Sequence, residues 1–221
     1  MSSAALNEKP AATRNGGARD PEGTKAAILA AATREFTEKG FGGARIDAIA
    51  AHAKINKRML YHYFGGKEAL YVAVLEASYA AIRSAEAKLD LAHREPQDAL
   101  RELVQFTFRY FLEHPEFLSL LGTENMMRAK FLKRSDRIVA MNTPLIDELR
   151  DVLTRGARTG VFRADADPLD VYLTMAALGF FYLSNRWTLS TVFRRDLATK
   201  AETTRWGQHI GEVILSYLKT S

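Results

Sequence analysis

Between Ile46 and Phe64 the apolar residues fall at helical spacing in two short runs separated by only three residues. Ile46, Ile49, Ala50 and Ala53 stand at i, i+3, i+4 and i+7, the stripe of an amphipathic helix. Asn56 is placed to cap a second run, which stops at the glycine pair Gly65–Gly66. Two helices this short, joined by so tight a turn, have helix-turn-helix proportions. Upstream, Ile28, Leu29, Ala32 and Phe36 share a stripe from Thr24 onward, and Gly40 stands where a helix would end.

The second short helix has a distinctive outer face. At about 100° per residue, Leu60 and Phe64 lie together and join Ile55 against the first two helices. Arg58, Met59 and His62 then point outward, with Tyr61 and Tyr63 on the flanks and Lys57 in the first turn. Cations, hydroxyl-tipped rings and an imidazole can bond phosphates and read base edges. The same aromatics could instead be plain core. Gly66 is an acceptable N-cap, so Lys67 would open a fourth helix with its ammonium beside free N–H groups, a phosphate clamp.

Charge distribution points to the same end of the chain. Residues 21–70 carry eight cations against five acids, whereas the last 151 residues carry 20 against 19. Four cations and no acid lie between Lys54 and Lys67. A localised basic patch suits a polyanion, although a solvated face would look similar.

The order and spacing of four strings resemble the DNA-binding domain of TetR-type transcriptional regulators. They are A-A-x-x-x-F-x-x-x-G-F (Ala31–Phe41), I-x-x-I-A (Ile46–Ala50), L-Y-x-Y-F (Leu60–Phe64) and K-E-A-L (Lys67–Leu70). The resemblance implies an all-α homodimer: an N-terminal three-helix head on a larger helical core that binds a ligand and dimerises. It also implies that Lys57, Arg58, Met59, Tyr61, Tyr63 and Lys67 face DNA; we add Arg45, Lys54 and His62. Three positions depart from the family pattern. Lys54 stands where Gly is usual, Ala44–Arg45 where Thr is common, and Gly65–Gly66 where Pro-Ser is common. If Lys54 takes a positive φ, the cost is on the order of 1 kcal/mol.

The expected organisation is a disordered arm at 1–20, a head at 21–81 with its motif at about 44–63, and a core at 82–221. Arg14 and Arg19 of the arm could touch phosphates. Beyond the head, Leu70, Val74, Ala77 and Ala81 give the fourth helix a thin stripe, and Pro96 to Glu113 forms a helix broken at His114–Pro115. Thr143–Pro144 and Asp167–Pro168 both read as helix starts. Tyr172 to Leu183 is apolar nearly all round, so it is buried or lies in an interface. In the last helix Trp206, Ile210, Val213, Ile214 and Tyr217 form a stripe, with Gly207 and Gly211 on another. We expect these last two helices to form the dimer interface, through Tyr172, Phe180, Trp206, Gly207, Ile210, Gly211, Ile214 and Tyr217. Ordinary packing within one chain is the alternative.

Other function classes find little support. There is no cysteine, which suits a reducing cytoplasm and removes thiolate chemistry. No run reaches the roughly 18 apolar residues of a membrane span. The histidines show no i, i+4 pair, so no metal or other cofactor is expected, and no phosphate loop or nucleophile elbow occurs. Polar or aromatic residues within apolar helices, namely Phe106, Tyr110, Asn125, Arg128, Phe181, Asn185 and Trp187, are the candidate ligand pocket. The expected protein is a ligand-responsive regulator, a repressor of a palindromic operator. An all-α carrier or enzyme with a vestigial head is the alternative.

Overall fold

The structure, a computed structural model, describes residues 20–220. Of the expected arm only Asp20 falls within them, so Arg14 and Arg19 lie outside the described residues. Among the described residues the chain forms nine α-helices and no strand. Helix α1 (Pro21–Gly43) starts one turn earlier than Thr24, because Asp20 accepts a hydrogen bond from the Gly23 amide at 3.0 Å. Gly40 breaks it with φ 64°, a left-handed conformation, before a last short turn.

Helices α2 (Ile46–His52) and α3 (Lys57–Phe64) close over α1 and the start of α4 (Lys67–Glu86). Ile28, Phe36, Ile49, Leu60 and Leu70 are fully buried there. Each such side chain contributes roughly 1.5–3 kcal/mol. The buried face of α4 is broader than the expected stripe: Tyr71, Leu75 and Ile82 join Leu70 and Val74, while Ala77 and Ala81 are exposed. Tyr71 and Leu75 widen the stripe within the head's cluster, and Ile82 carries the helix into the core.

No break separates the two at residues 81–82, since α4 runs straight through. Leu120, Phe131 and Ile138, from beyond that point, belong to the head's apolar cluster. Phe131 is fully buried, its ring centroid 4.3 Å from Phe41 and 5.2 Å from Tyr71. The carboxylate of buried Glu124 holds it there, accepting from the amides of Phe131 at 3.2 Å and Leu132 at 2.9 Å.

The core is built around α5 (Pro96–Glu113), which is apolar on most sides and touches α6 (Pro115–Met126), α7 (Asp136–Arg158), α8 (Pro168–Phe193) and α9 (Lys200–Leu218). His114 caps the break before α6 with φ −122° and ψ 63°. Asp167 starts α8 as expected, accepting from the amides of Leu169 and Asp170. Thr143–Pro144 does not start a helix. Helix α7 begins eight residues earlier, where the Ser135 hydroxyl accepts from the Ile138 amide, and Pro144 lies inside it. Thr143 instead donates its hydroxyl to the Val139 carbonyl, and the Asn142 side chain donates to Ile138. These bonds support the turn where proline removes a donor.

The expected dimer residues of α9 are largely used inside the chain. Ile210 and Ile214 are buried in the core, and Gly211 is buried beside them. A Cβ on Gly207 would lie 2.9 Å from Cδ1 of Phe108, so this glycine lets α9 approach α5 of the same chain. Trp206 is half-buried, stacks on Tyr182 at 4.8 Å and donates its indole N–H to the Leu178 carbonyl of α8. Close approach was legible at Gly207, where the approaching helix is α5, whereas a Cβ on Gly211 would meet no described atom within 4 Å.

Candidate nucleic-acid interface

The turn between α2 and α3 is closed by its own backbone. The amides of Lys54 and Ile55 donate to the carbonyls of Ala51 and Ala50 at 3.1 and 3.0 Å. Lys54 takes φ 55°, the left-handed value at which a β-carbon is strained. Asn56 caps α3, its side-chain oxygen accepting from the Met59 amide at 2.8 Å. That cap and the burial of Leu60 fix the rotation of α3.

The rotation brings Arg58, Tyr61 and His62 to the exposed face, with Tyr61 44% exposed. Met59 is half-buried. Tyr63 is half-buried too and packs partly on the head's apolar cluster, with its ring 5.5 Å from that of His62. The chain leaves α3 through Gly65, at φ 76°, and turns into α4.

The start of α2 is set by a residue that the sequence reading passed over. Glu35, only 1% exposed, accepts from the Arg45 amide at 3.1 Å and pairs with Lys39 at 2.9 Å. The Lys39 ammonium holds its carboxyl below the usual range against the opposing effect of burial. Its signal was present: Glu35 lies seven residues after Ile28, on the buried stripe of α1. With its backbone anchored, Arg45 presents an exposed side chain at the start of α2.

The cations of this face are not equivalent. Arg45, Lys54 and Arg58 are exposed and, among the described residues, form no ion pair, whereas Lys57 pairs with Asp47 of α2 at 2.9 Å. That carboxylate raises the Lys57 ammonium above its ordinary value. Lys67 opens α4 as expected, but it does not stand free. Its ammonium lies 4.8 Å from the ring centroid of Phe41, and desolvation lowers its pKa. The structure therefore brings Arg45, Lys54, Lys57, Arg58, Tyr61 and His62 to the outer side of the head, with Met59, Tyr63 and Lys67 recessed.

Two family models match this chain. Residues 28–74 match the family described as bacterial regulatory proteins of the tetR family, and residues 96–214 match the tetracyclin repressor-like C-terminal domain. The chain belongs to the TetR family. It is 41% identical over 202 residues to the transcriptional repressor NicS of Pseudomonas putida, spanning 91% of this chain and 95% of that protein. It is 43% identical over 111 residues to the repressor SCO4008 of Streptomyces coelicolor, covering 49% of this chain and 53% of that one. Among solved structures, the fold is similar to that of a regulator, SCO4942, from Streptomyces coelicolor, with TM-score 0.67 and 25% identity over 88% of this chain and 98% of that one. KstR2, a ketosteroid regulator of Mycobacterium tuberculosis, shares the fold at TM-score 0.60 and 22% identity, over 89% and 95% of the two chains.

In this TetR-family protein the seven residues expected to line a ligand pocket do not converge. Phe106 and Tyr110 are buried packing of α5. Asn125 and Arg128 are exposed near the end of α6, and Arg128 sits in a left-handed turn. Phe181 and Trp187 are 59% and 64% exposed on α8, where Asn185 spends its amide on the Phe181 carbonyl. An apolar helix can place such residues on any side, and only the packing decides which. Tyr172 and Phe180 of the expected dimer set are half-buried, and Tyr217 is 47% exposed. Among the described residues no helix is long and apolar enough to cross a membrane.

Proposed function

We propose that this TetR-family regulator is a repressor that holds a palindromic operator as a homodimer and releases it when a small molecule enters the helical core. The observation that carries the reading is the two-sidedness of α3. Leu60 is fully buried while Arg58 and His62 are exposed opposite it and Tyr61 is exposed on its flank. A guanidinium forks onto guanine and a phenol bonds phosphate or a base edge, and two helical turns fill a major groove. Arg45, Lys54 and Lys57 would flank that helix as phosphate contacts.

Dimerisation is supported by exposed apolar residues along α8 and α9. Leu169, Leu173, Phe181 and Trp187 of α8 and Val213 and Tyr217 of α9 are all exposed. A second copy would cover such a surface and set the two heads about 34 Å apart, one turn of duplex. The direction of control, repression, draws on the names of the relatives NicS and SCO4008. A duplex DNA partner and the lack of cysteine suit the cytoplasm, and the reading assigns no catalytic step.

Release requires a coupling of only about 1–3 kcal/mol between the effector site and the head spacing. The test is selection of bound duplexes from a random pool, followed by gel shifts with Arg58→Ala. Affinity for the selected duplex should fall about 10- to 100-fold. Undiminished protection by the variant would remove α3 from the interface. No salt-dependent affinity for any duplex would favour a small-molecule carrier or enzyme with a vestigial head.

A further inference from the structure

Helices α4 and α7 lie side by side and are tied together at one end by polar groups. The Ser135 hydroxyl donates to Glu76 at 2.6 Å, Arg137 pairs with the same carboxylate at 3.4 Å, and Arg134 pairs with Glu68 at 2.6 Å. At the other end the seam opens into a cavity of about 270 Å³ lined by Arg83, Glu86, Ala87, Met141, Pro144 and Leu145, among others. Two of these are charged groups withdrawn from water. Glu86 is 3% exposed, and the Arg83 side chain is 11% exposed.

Their mutual contact leaves both incompletely satisfied. Nη1 of Arg83 lies 2.9 Å from a carboxylate oxygen of Glu86, yet among the described residues neither Nη1 nor Nε directs a hydrogen at an acceptor. The attraction is coulombic, without a formed hydrogen bond. The other carboxylate oxygen of Glu86, Oε1, also has no partner among the described residues. Buried polar groups are nearly always satisfied, and the two residues that carry these orphaned atoms both line the cavity, so a modest turn of either side chain would bring them to a ligand seated there. Burial pushes the Glu86 carboxyl up to about 7, with Arg83 opposing that and Glu148 reinforcing it. Near neutrality the cavity thus holds a full guanidinium charge with only part of its counter-charge. Glu148, at the exposed rim, is the one further carboxylate lining it.

We propose that this cavity takes a small organic acid, its carboxylate held by the Arg83 guanidinium and a hydrogen-bond donor on the same molecule held by Glu86. The walls from Ala87, Met141, Pro144 and Leu145 suit an apolar body. An acid seated there separates α4 from α7 at the end away from the Glu76 tie, and α4 leads directly to Lys67 and the head. This deepens, and rests on, the reading of the protein as an effector-released repressor.

The test is calorimetric titration of the full chain with butyrate, benzoate, phenylacetate and 2-hydroxybenzoate, each beside its amide. At least one acid should bind, with its amide at least tenfold weaker. Arg83→Gln should weaken that acid about 10- to 100-fold, as loss of a charge-assisted pair does. Arg83→Gln leaves Glu86 buried without a cation and could fail to fold. The double variant Arg83→Met with Glu86→Met removes both charges and should fold, since apolar replacement of a buried pair is tolerated. It too should lose acid binding while retaining the selected duplex in a gel shift. Equal binding of amide and acid, undiminished acid binding by the folded double variant, or no binding by any of the four acids overturns the proposal. An acid that binds through Arg83 but leaves the DNA complex intact would uphold the site and refute effector release. Failure of the wild type to hold any duplex would refute the operator reading without touching the calorimetry.

Discussion

The ammonium of Lys57 and the carboxylate of Asp47 stand 2.9 Å apart, joining the first turn of α3 to the first turn of α2. Both groups are exposed, so the pair adds little to stability. Its effect falls on the interface, where Asp47 occupies Lys57 and places a negative charge near phosphate. Asp47→Ala should therefore tighten operator binding several-fold and steepen the dependence of log affinity on log salt by about one unit. Titration of the selected duplex at several salt concentrations reads both quantities. Unchanged affinity and slope would place Lys57 away from the backbone.

Lys54 sets stability against binding. At φ 55° it pays for a conformation that glycine adopts freely. Lys54→Gly should raise the free energy of unfolding by about 1 kcal/mol and lower operator affinity through the loss of a phosphate contact. Urea unfolding and gel shift on the same preparation separate the two effects.

Gly156 and Gly122 both lie inside helices, and replacement by Ala should act in opposite directions. A Cβ at Gly156 would lie 2.0 Å from Cδ2 of Phe162, a ring that is 2% exposed. At Gly122 it would meet no described atom within 4 Å. Gly122→Ala should stabilise by about 0.5–1 kcal/mol from helix propensity. Gly156→Ala should destabilise by about 1–3 kcal/mol, because overpacking exceeds that gain. Thermal melts of the two variants check the sign.

The stability of the chain should fall with pH through the range in which Glu86 titrates. Its carboxyl is raised from 4.5 to about 7 in the folded state. Between those values the folded chain binds more protons than the unfolded chain, so its advantage shrinks as pH rises. The loss from this group is on the order of 3 kcal/mol, complete above about pH 7. Glu86→Gln should flatten that slope between pH 5 and 8 in denaturant titrations. An identical slope would show that Glu86 ionises normally.

The head was more legible in the sequence than the core, for a physical reason. Asn56 as cap, Leu60 as anchor and Gly40 as stop depend on neighbours within a turn or two, which spacing reveals. Pro144 misled because proline is favoured at a helix start, and only the Ser135 cap shows that α7 was already under way. Gly207 signalled close approach correctly, but which helix approaches is a tertiary matter. Phe181 and Trp187 lie on the exposed side of a helix that is apolar all round, and periodicity gives such a helix no direction. Glu35, Arg83 and Glu86 were missed as polar residues at buried positions. Glu86 follows Ile82 by four residues on the inner stripe of α4. A reading that assigns charge to the surface overlooks such residues.

Phe131 has a consequence for how the molecule comes apart. Its ring is contributed by the second half of the sequence but completes the aromatic cluster of the first, against Phe41 and Tyr71. A fragment cut after residue 81 would leave those two rings against water and would be poorly stable. The intact chain should melt in a single cooperative step, with no plateau where one half survives the other. Solidity across that junction also means that a change of shape among the later helices reaches the reading head without crossing a slack tether.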